Sequence, residues 1–186
     1  MRRAIRTALV FAFVALSGAA LAQDGPQVAP IFDLGTAAGG TVSSAGLDGR
    51  PYAMFFGFTH CPDVCPTTFA ELGLALAALG PAAKDFHVHF VTVDPDRDTP
   101  DVERAFLSAF DPRIVALTGP TADLAALADD YGVVARKVPL SDGSYTFEHT
   151  ATIFLVDRDG IVADRVAYMD GSEVMAAKIG RLIGVE

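Results

Sequence analysis

Cysteine is scarce in this sequence: two among 186 residues, at positions 61 and 65. A framework of several disulfides is thereby excluded, and so is a second pair of thiol ligands. Basic residues are few as well, 14 Lys and Arg against 23 Asp and Glu, for a formal charge of −9. That acid excess disfavours nucleic acid and anionic membrane surfaces as partners. It suits a protein that meets a basic partner or handles a cation. The apolar run near the start, Ala8–Ala22, has fifteen residues, short of the ~20 that a membrane-spanning helix needs. No cysteine follows it, which excludes a lipid-anchored bacterial lipoprotein, and no internal repeat is present.

Arg2, Arg3 and Arg6 precede that run, and Ala20-Leu21-Ala22 ends it. This is the pattern of a secretory signal peptide over residues 1–22, cut before Gln23, with a short uncleaved membrane anchor as the alternative. Cleavage would leave 11 basic residues against 23 acidic ones, a charge of −12. Residues 23–45, rich in Gly, Pro and Ala, are expected to form an N-terminal tether containing one short strand at Ile31–Leu34. Residues 46–186 are expected to form one globular domain; 51% of the chain is hydrophobic and 20% charged, enough for a real core.

The domain is organised around Phe55–Pro66, FFGFTHCPDVCP. An apolar run, Tyr52–Phe58, reads as a buried strand. Pro66–Leu79 reads as a helix closed by Gly80 and Pro81, with Pro66 in the first turn where a missing N–H costs nothing. The thiols therefore sit at a strand-to-helix turn, where the positive end of the helix dipole favours thiolate. Further strands are expected at Phe86–Val93 and Ile114–Leu117. Helices are expected from Thr99-Pro100 to about Phe110, over Thr121–Tyr131, and from Ser172 to about Gly184. Ser141-Asp142-Gly143 and Asp157-Arg158-Asp159-Gly160 mark two hairpins. The order predicts an α/β fold, a mixed central sheet flanked by helices. Ligands in such sheets sit beyond the C-terminal ends of the strands.

Cysteines at i and i+4 on a helical turn have Cβ atoms about 5–6 Å apart. A disulfide needs roughly 3.5–4.5 Å. The spacing permits both states and favours chelation of a soft ion. A purely structural disulfide is disfavoured, because so short a loop removes little entropy from the unfolded chain. Histidine is the commonest further ligand. His60 adjoins Cys61 and points away from it, tuning the turn. His87 and His89 share one face of a strand and read as packed or surface residues. Asp63 reads as a turn residue, and Asp94, Arg97 and Asp98 as a loop held by an internal salt bridge. Met54 and Met169 could offer thioethers, but core packing is the commoner use of methionine.

Around the fourth histidine, ATIFLVDRDG resembles the P-T-x-F-L-I-D-x-x-G segment of thioredoxin-like proteins, whose cis-proline lies across from their cysteines. Ala151 takes the proline's place here, and His149 stands two residues before it. The resemblance therefore puts an imidazole opposite the two thiols. Two sulfurs and one nitrogen suit Cu(I), whereas Zn(II) wants a fourth ligand.

FFGFTHCPDVCPTT, VTVDPDRDTP, FDPRIVALTG, YGVVARKV and EHTATIFLVD occur in the order found in the SCO/SenC family, which the chain resembles from about Tyr52 to Tyr168. That resemblance implies a thioredoxin-like fold with an inserted β-hairpin and copper bound through Cys61, Cys65 and His149, with Cu(I) favoured and Cu(II) also allowed. It implies a metallochaperone delivering copper to the binuclear copper site of cytochrome c oxidase during its assembly. The alternative is a thiol-disulfide reductase using Cys61 and Cys65 as a redox pair to keep the oxidase cysteines reduced. A thioredoxin-fold peroxidase, built on a lone activated cysteine, fits the pair poorly. The implied partners are the oxidase copper-site subunit, with other periplasmic copper chaperones or thiol reductants as further candidates. The implied location is the bacterial periplasm, soluble or tethered by the N-terminal segment.

Overall fold

The computed structural model describes residues 26–185; the expected signal peptide or anchor at 1–22 lies outside them. The strands are β1 (Asp33–Thr36), β2 (Thr41–Ser43), β3 (Tyr52–Gly57), β4 (His87–Thr92), β5 (Ile114–Thr118), β6 (Ala135–Pro139), β7 (Tyr145–His149), β8 (Thr152–Val156) and β9 (Val162–Ala167). The helices are α1 (Val64–Leu79), α2 (Pro100–Leu107), α3 (Thr121–Asp130) and α4 (Gly171–Ile183).

Seven strands make one mixed sheet in the order β2-β1-β5-β4-β3-β8-β9. β3, β4 and β5 run parallel at its centre, and β8 lies antiparallel on β3. All six residues of β3 are buried, as a continuous apolar run in a sheet covered on both sides requires. Alternate residues of β3 and β4 face opposite layers. Ala53, Phe55, Val88 and Phe90 face Phe69, Leu72 and Leu76 of α1 with Met175 and Ile179 of α4. Met54, Phe56 and Val91 face Leu124 and Leu127 of α3. Val64–Ala83 is long and apolar enough to cross a membrane, yet it is the helix that carries this buried face.

The expected tether over 23–45 needs correcting. Asp33–Thr36 and Thr41–Ser43 are strands, and β1 pairs antiparallel with both β2 and β5. The sheet therefore begins well before residue 46. Phe32 and Leu34, 6% and 5% exposed, are the buried anchors of this segment. The short strand expected at Ile31–Leu34 falls on β1 with shifted ends, and β2, which carries no such apolar pair, forms the sheet edge.

α1 starts at Val64, two residues before the expected Pro66. The first turn of a helix leaves its N–H groups without intrahelical partners, so proline is tolerated at the third position as well as the first. The shift puts Cys65 inside the helix. At the C-terminal end of β4, Thr99 caps α2, its Oγ1 accepting from the Val102 N–H at 3.4 Å. The inserted hairpin is present: β6 and β7 form a two-stranded sheet of their own, with Ala135 opposite His149. It leads straight into β8 beside β3, which brings the end of β7 over the cysteine turn.

Candidate metal centre

Cys61 lies in the turn after β3, 9% exposed, and Cys65 lies in the first turn of α1, fully buried. His149 is the last residue of β7. Their ligating atoms all lie within 4.8 Å of one another, and Nε2 of His149 is 3.7 Å from Cys65 Sγ. Both thiols are free. The structure thus brings together the three residues singled out in the sequence, each from a different element.

Local geometry sets the protons. The Cys65 N–H donates to Cys61 Sγ at 3.4 Å, so the sulfur acts as an acceptor for the first turn of α1. The nominal cap residue, Asp63, makes no side-chain cap bond. The Cys65 thiol donates toward Cys61, and this bond holds the Cys61 thiol far down, to about 3, against the opposing effect of burial. Cys65 is pushed up, first by the same bond and then by burial. The resting pair is therefore a Cys61 thiolate beside a Cys65 thiol. On the histidine, Nδ1 lies 3.1 Å from the Thr150 carbonyl oxygen. A carbonyl can only accept, so this contact assigns the proton to Nδ1 and leaves a lone pair on Nε2, facing the sulfurs.

The imidazole is held edge-to-face by Phe58 and Phe55, with ring centroids 5.7 and 6.4 Å away. Behind it, Gly57 ends β3. A Cβ at that position would stand 2.7 Å from Cys65 Sγ, so the sulfur occupies space that a side chain would take. Gly57 escaped the sequence reading; the one signal was a glycine inside an otherwise bulky buried strand, which marks a close approach.

The acidic loop after β4 splits into two parts rather than one salt bridge. Asp94 pairs with Arg97 Nε and accepts from the Tyr145 hydroxyl at 3.0 Å. The Arg97 guanidinium lies 3.8 Å over the Tyr145 ring and donates to the Tyr145 carbonyl at 3.0 Å. This fastens the β6–β7 hairpin, and with it the strand that ends in His149. Asp98 does not join that pair. It accepts from the Thr59 N–H at 2.9 Å, the Thr59 hydroxyl at 2.5 Å and the Thr92 hydroxyl at 2.6 Å, which clamps the turn leading to Cys61.

Beyond Asp98, Glu103 of α2 is fully buried with neither carboxyl oxygen hydrogen-bonded. Burial, then the nearby Asp98, pushes its carboxyl up to about 8. Between its ordinary range near 4.5 and about 8, the folded protein holds a proton there that the unfolded chain has lost. Stability from this site should therefore fall as pH rises through that window and level off above it. Glu103→Leu is expected to remove the slope and to stabilise the protein by about 1–3 kcal/mol at pH 8, with little gain at pH 4.5. Urea midpoints across pH would show it; equal gains at both pH values would count against a protonated Glu103.

The remaining candidates stay away from the sulfurs. His60 turns to Thr59 and Asp98, its Nδ1 3.1 Å from the Thr59 hydroxyl. His87 and His89 lie on β4, and His89 belongs to the sheet face opposite α1, packed edge-on against Phe32 and tilted against Tyr52. Asp63 accepts weakly from Thr67 and Tyr168 hydroxyls. Met54 is core, as expected, whereas Met169 is 83% exposed and does not fill the core.

The SCO1/SenC profile matches residues 21–184. The chain belongs to the SCO1/SenC family. Among solved structures of that family it is similar to copper-bound ScoI of Bradyrhizobium japonicum, with 41% identity and TM-score 0.76, covering 83% of this chain and 99% of that one. It is also similar to copper-bound yeast Sco1, with 28% identity and TM-score 0.75 over 87% and 91% of the two chains. The mitochondrial SCO2 homolog of Danio rerio is 34% identical over 129 residues, 68% of this chain and 46% of that protein. This chain spans less than half the length of that relative. The fold is thus the α/β thioredoxin-like fold of its SCO neighbours. In a family whose solved members include copper-bound forms, this chain carries a Cys–Cys–His group able to hold a metal ion.

Proposed function

We propose that the protein is a copper metallochaperone. It holds one copper ion on Cys61, Cys65 and His149 and delivers it to the binuclear copper site of cytochrome c oxidase during assembly. The observation that carries this reading is the convergence of two sulfurs and an imidazole nitrogen within 4.8 Å, the one such group of three or more ligands among the described residues. Two soft thiolates with one imidazole favour Cu(I), which accepts three ligands, while Cu(II) would draw on the same donors. Bound copper would replace the Cys65 proton, since metal ligation needs both thiols deprotonated. The oxidase copper-site subunit is the proposed recipient, and the periplasm the proposed location, with membrane contact through the N-terminal segment or the partner.

One observation favours a second activity at the same residues. Cys61 is a thiolate, 9% exposed, and Cys65 is a fully buried thiol behind it. Cys61 would attack a target disulfide, forming a mixed disulfide and expelling one target thiolate. Cys65 would then pass its proton toward Nε2 of His149 and attack the Cys61 sulfur, closing a Cys61–Cys65 disulfide and releasing the second target thiolate. Two electrons pass to the target, which leaves as a dithiol once protonated.

The test is metal uptake. The reduced protein should retain one tightly held copper per chain against a competing chelator, and zinc should not displace it. Alkylation with and without reductant should show that oxidation of the pair to a disulfide blocks that uptake. Preference for zinc, or equal Cu(I) binding by the oxidised protein, would overturn the copper reading.

A further inference from the structure

α3 ends on Asp129 and Asp130, with no basic residue in its last turn. A helix C-terminus already carries the negative end of the dipole, so acids there are unfavourably placed. Both are exposed, and neither has a basic partner among the described residues. The bases of the neighbouring loop and hairpin are already engaged: Arg97 with Asp94, Lys137 with Asp96 and Arg136 with Glu148. Asp129 also lines a cavity of about 210 Å³ whose walls are otherwise mostly apolar, among them Val93, Leu124, Val133 and Phe147. Roughly 150 Å³ is enough to take a benzene ring, so the space suits one aliphatic or aromatic side chain.

The cavity lies between α3 and the β6–β7 hairpin, at the same end of the sheet as the cysteines. Thr92, which lines it, ends β4, and β4 runs parallel to β3. Its wall reaches the metal centre. Ala135 lines it and stands directly opposite His149 across the hairpin, where paired Cβ atoms are about 4.5–5.5 Å apart. Phe147, two residues before His149, packs on Phe58, which also holds the imidazole.

We propose that this cavity is a docking pocket for the copper-accepting protein, which inserts one aromatic or aliphatic side chain and sets a neighbouring Lys or Arg against Asp129 and Asp130. A buried anchor in a desolvated pocket is the usual source of binding energy at an interface, and opposite charge around it speeds encounter. An anchor seated here touches Ala135 and Phe147, so it brings the acceptor to the strand that carries the imidazole ligand. A second copy of this chain is the poorer occupant, since at −9 it brings the same sign of charge. Naming the acceptor as the source of the anchor rests on the copper-delivery reading; the pocket itself uses none of the metal ligands.

The experiment titrates the oxidase copper-site subunit, metal-free and in detergent, into the reduced, copper-free protein. Copper uptake and copper release to a small chelator are measured alongside. Wild type should bind the subunit. Ala125→Phe, at an exposed position of α3 that lines the cavity, should fill the space and weaken binding at least about 10-fold. Asp129→Lys should weaken it several-fold at low ionic strength and less at high ionic strength. Both variants should take up copper and yield it to the chelator as wild type does, since neither residue belongs to the Cys–Cys–His group. No binding by wild type, binding indifferent to both substitutions, or a change confined to the protein's own oligomeric state would each overturn the pocket. So would slowed release to the chelator, which would mean that the substitutions disturb the metal centre instead. Failure of wild type to take up copper counts against the copper-delivery reading alone, because subunit binding is read without copper.

Discussion

His149→Ala should lower copper affinity by at least about 10–100-fold, the loss already seen when residues merely supporting a metal ligand are removed. The imidazole is the one nitrogen in a three-donor group, and its lone pair is aimed by the Nδ1 contact to the Thr150 carbonyl. Removing it leaves a two-sulfur clamp open to water. Thiol chemistry should suffer less. Cys61 is held as a thiolate chiefly by the Cys65 thiol, so attack on a target disulfide should persist. Closure of the Cys61–Cys65 disulfide should slow, because Nε2 is the base 3.7 Å from the Cys65 sulfur. Chelator competition and single-turnover reduction of a mixed disulfide would measure the two effects. A variant that binds copper like wild type would remove His149 from the site, and with it the metallochaperone mechanism. In cells, the same variant would separate the proposed copper delivery from the proposed thiol reduction.

Asp98→Ala should be among the most damaging single changes outside the ligands, at about 3–5 kcal/mol of stability. The carboxylate is 4% exposed and accepts three hydrogen bonds from Thr59 and Thr92. Bonds to charged acceptors contribute roughly 1.5–3 kcal/mol each, and the N–H and hydroxyl donors left without a partner add their own desolvation cost. The loss is local as well as global. Thr59 lies two residues before Cys61, and without its clamp the turn is free to re-form elsewhere. Denaturant unfolding should show the fall in stability, and copper affinity should fall with it even under conditions where the variant is folded. Asp98→Asn, which keeps the shape and one acceptor, should lose less. A fully stable Asp98→Ala protein would mean that the clamp does not hold the turn.

Much of this was legible in the sequence, for identifiable reasons. β3 is a continuous apolar run, β4 and β5 are rich in Val, Phe, Ile and Leu, and Gly80, Thr99-Pro100 and Gly132 punctuate the helices where sequence chemistry places them. The hairpin signal at Ser141-Asp142-Gly143 placed the strand that ends in His149. His149 itself was not legible from spacing. It stands 84 residues beyond Cys65, and only the likeness of ATIFLVDRDG to a thioredoxin-like segment linked them. The strand expected at Ile31–Leu34 falls on β1 with shifted ends, whereas β2 at the sheet edge was hidden, because its short run Thr41–Ser43 has no fully buried side chain to mark it. Glu103 was hidden for the opposite reason. A carboxylate in the first turn of a helix reads as a favourable surface charge, and nothing local announces that this one is sealed in.

The missing side chain at Gly57 also bears on how a metal ion would leave. The Cys65 sulfur rests in the space that glycine leaves, 2.7 Å from where a Cβ would stand, with the Phe55 and Phe90 rings next nearest to that point. No incoming ligand can reach the ion from behind that sulfur. An acceptor's thiolate or imidazole has to come in over Cys61 and the half-buried His149. Ligand exchange at copper would then run in a set order: the outer sulfur and the imidazole are replaced first, and Cys65 is the last donor to let go. Departure would be one-sided.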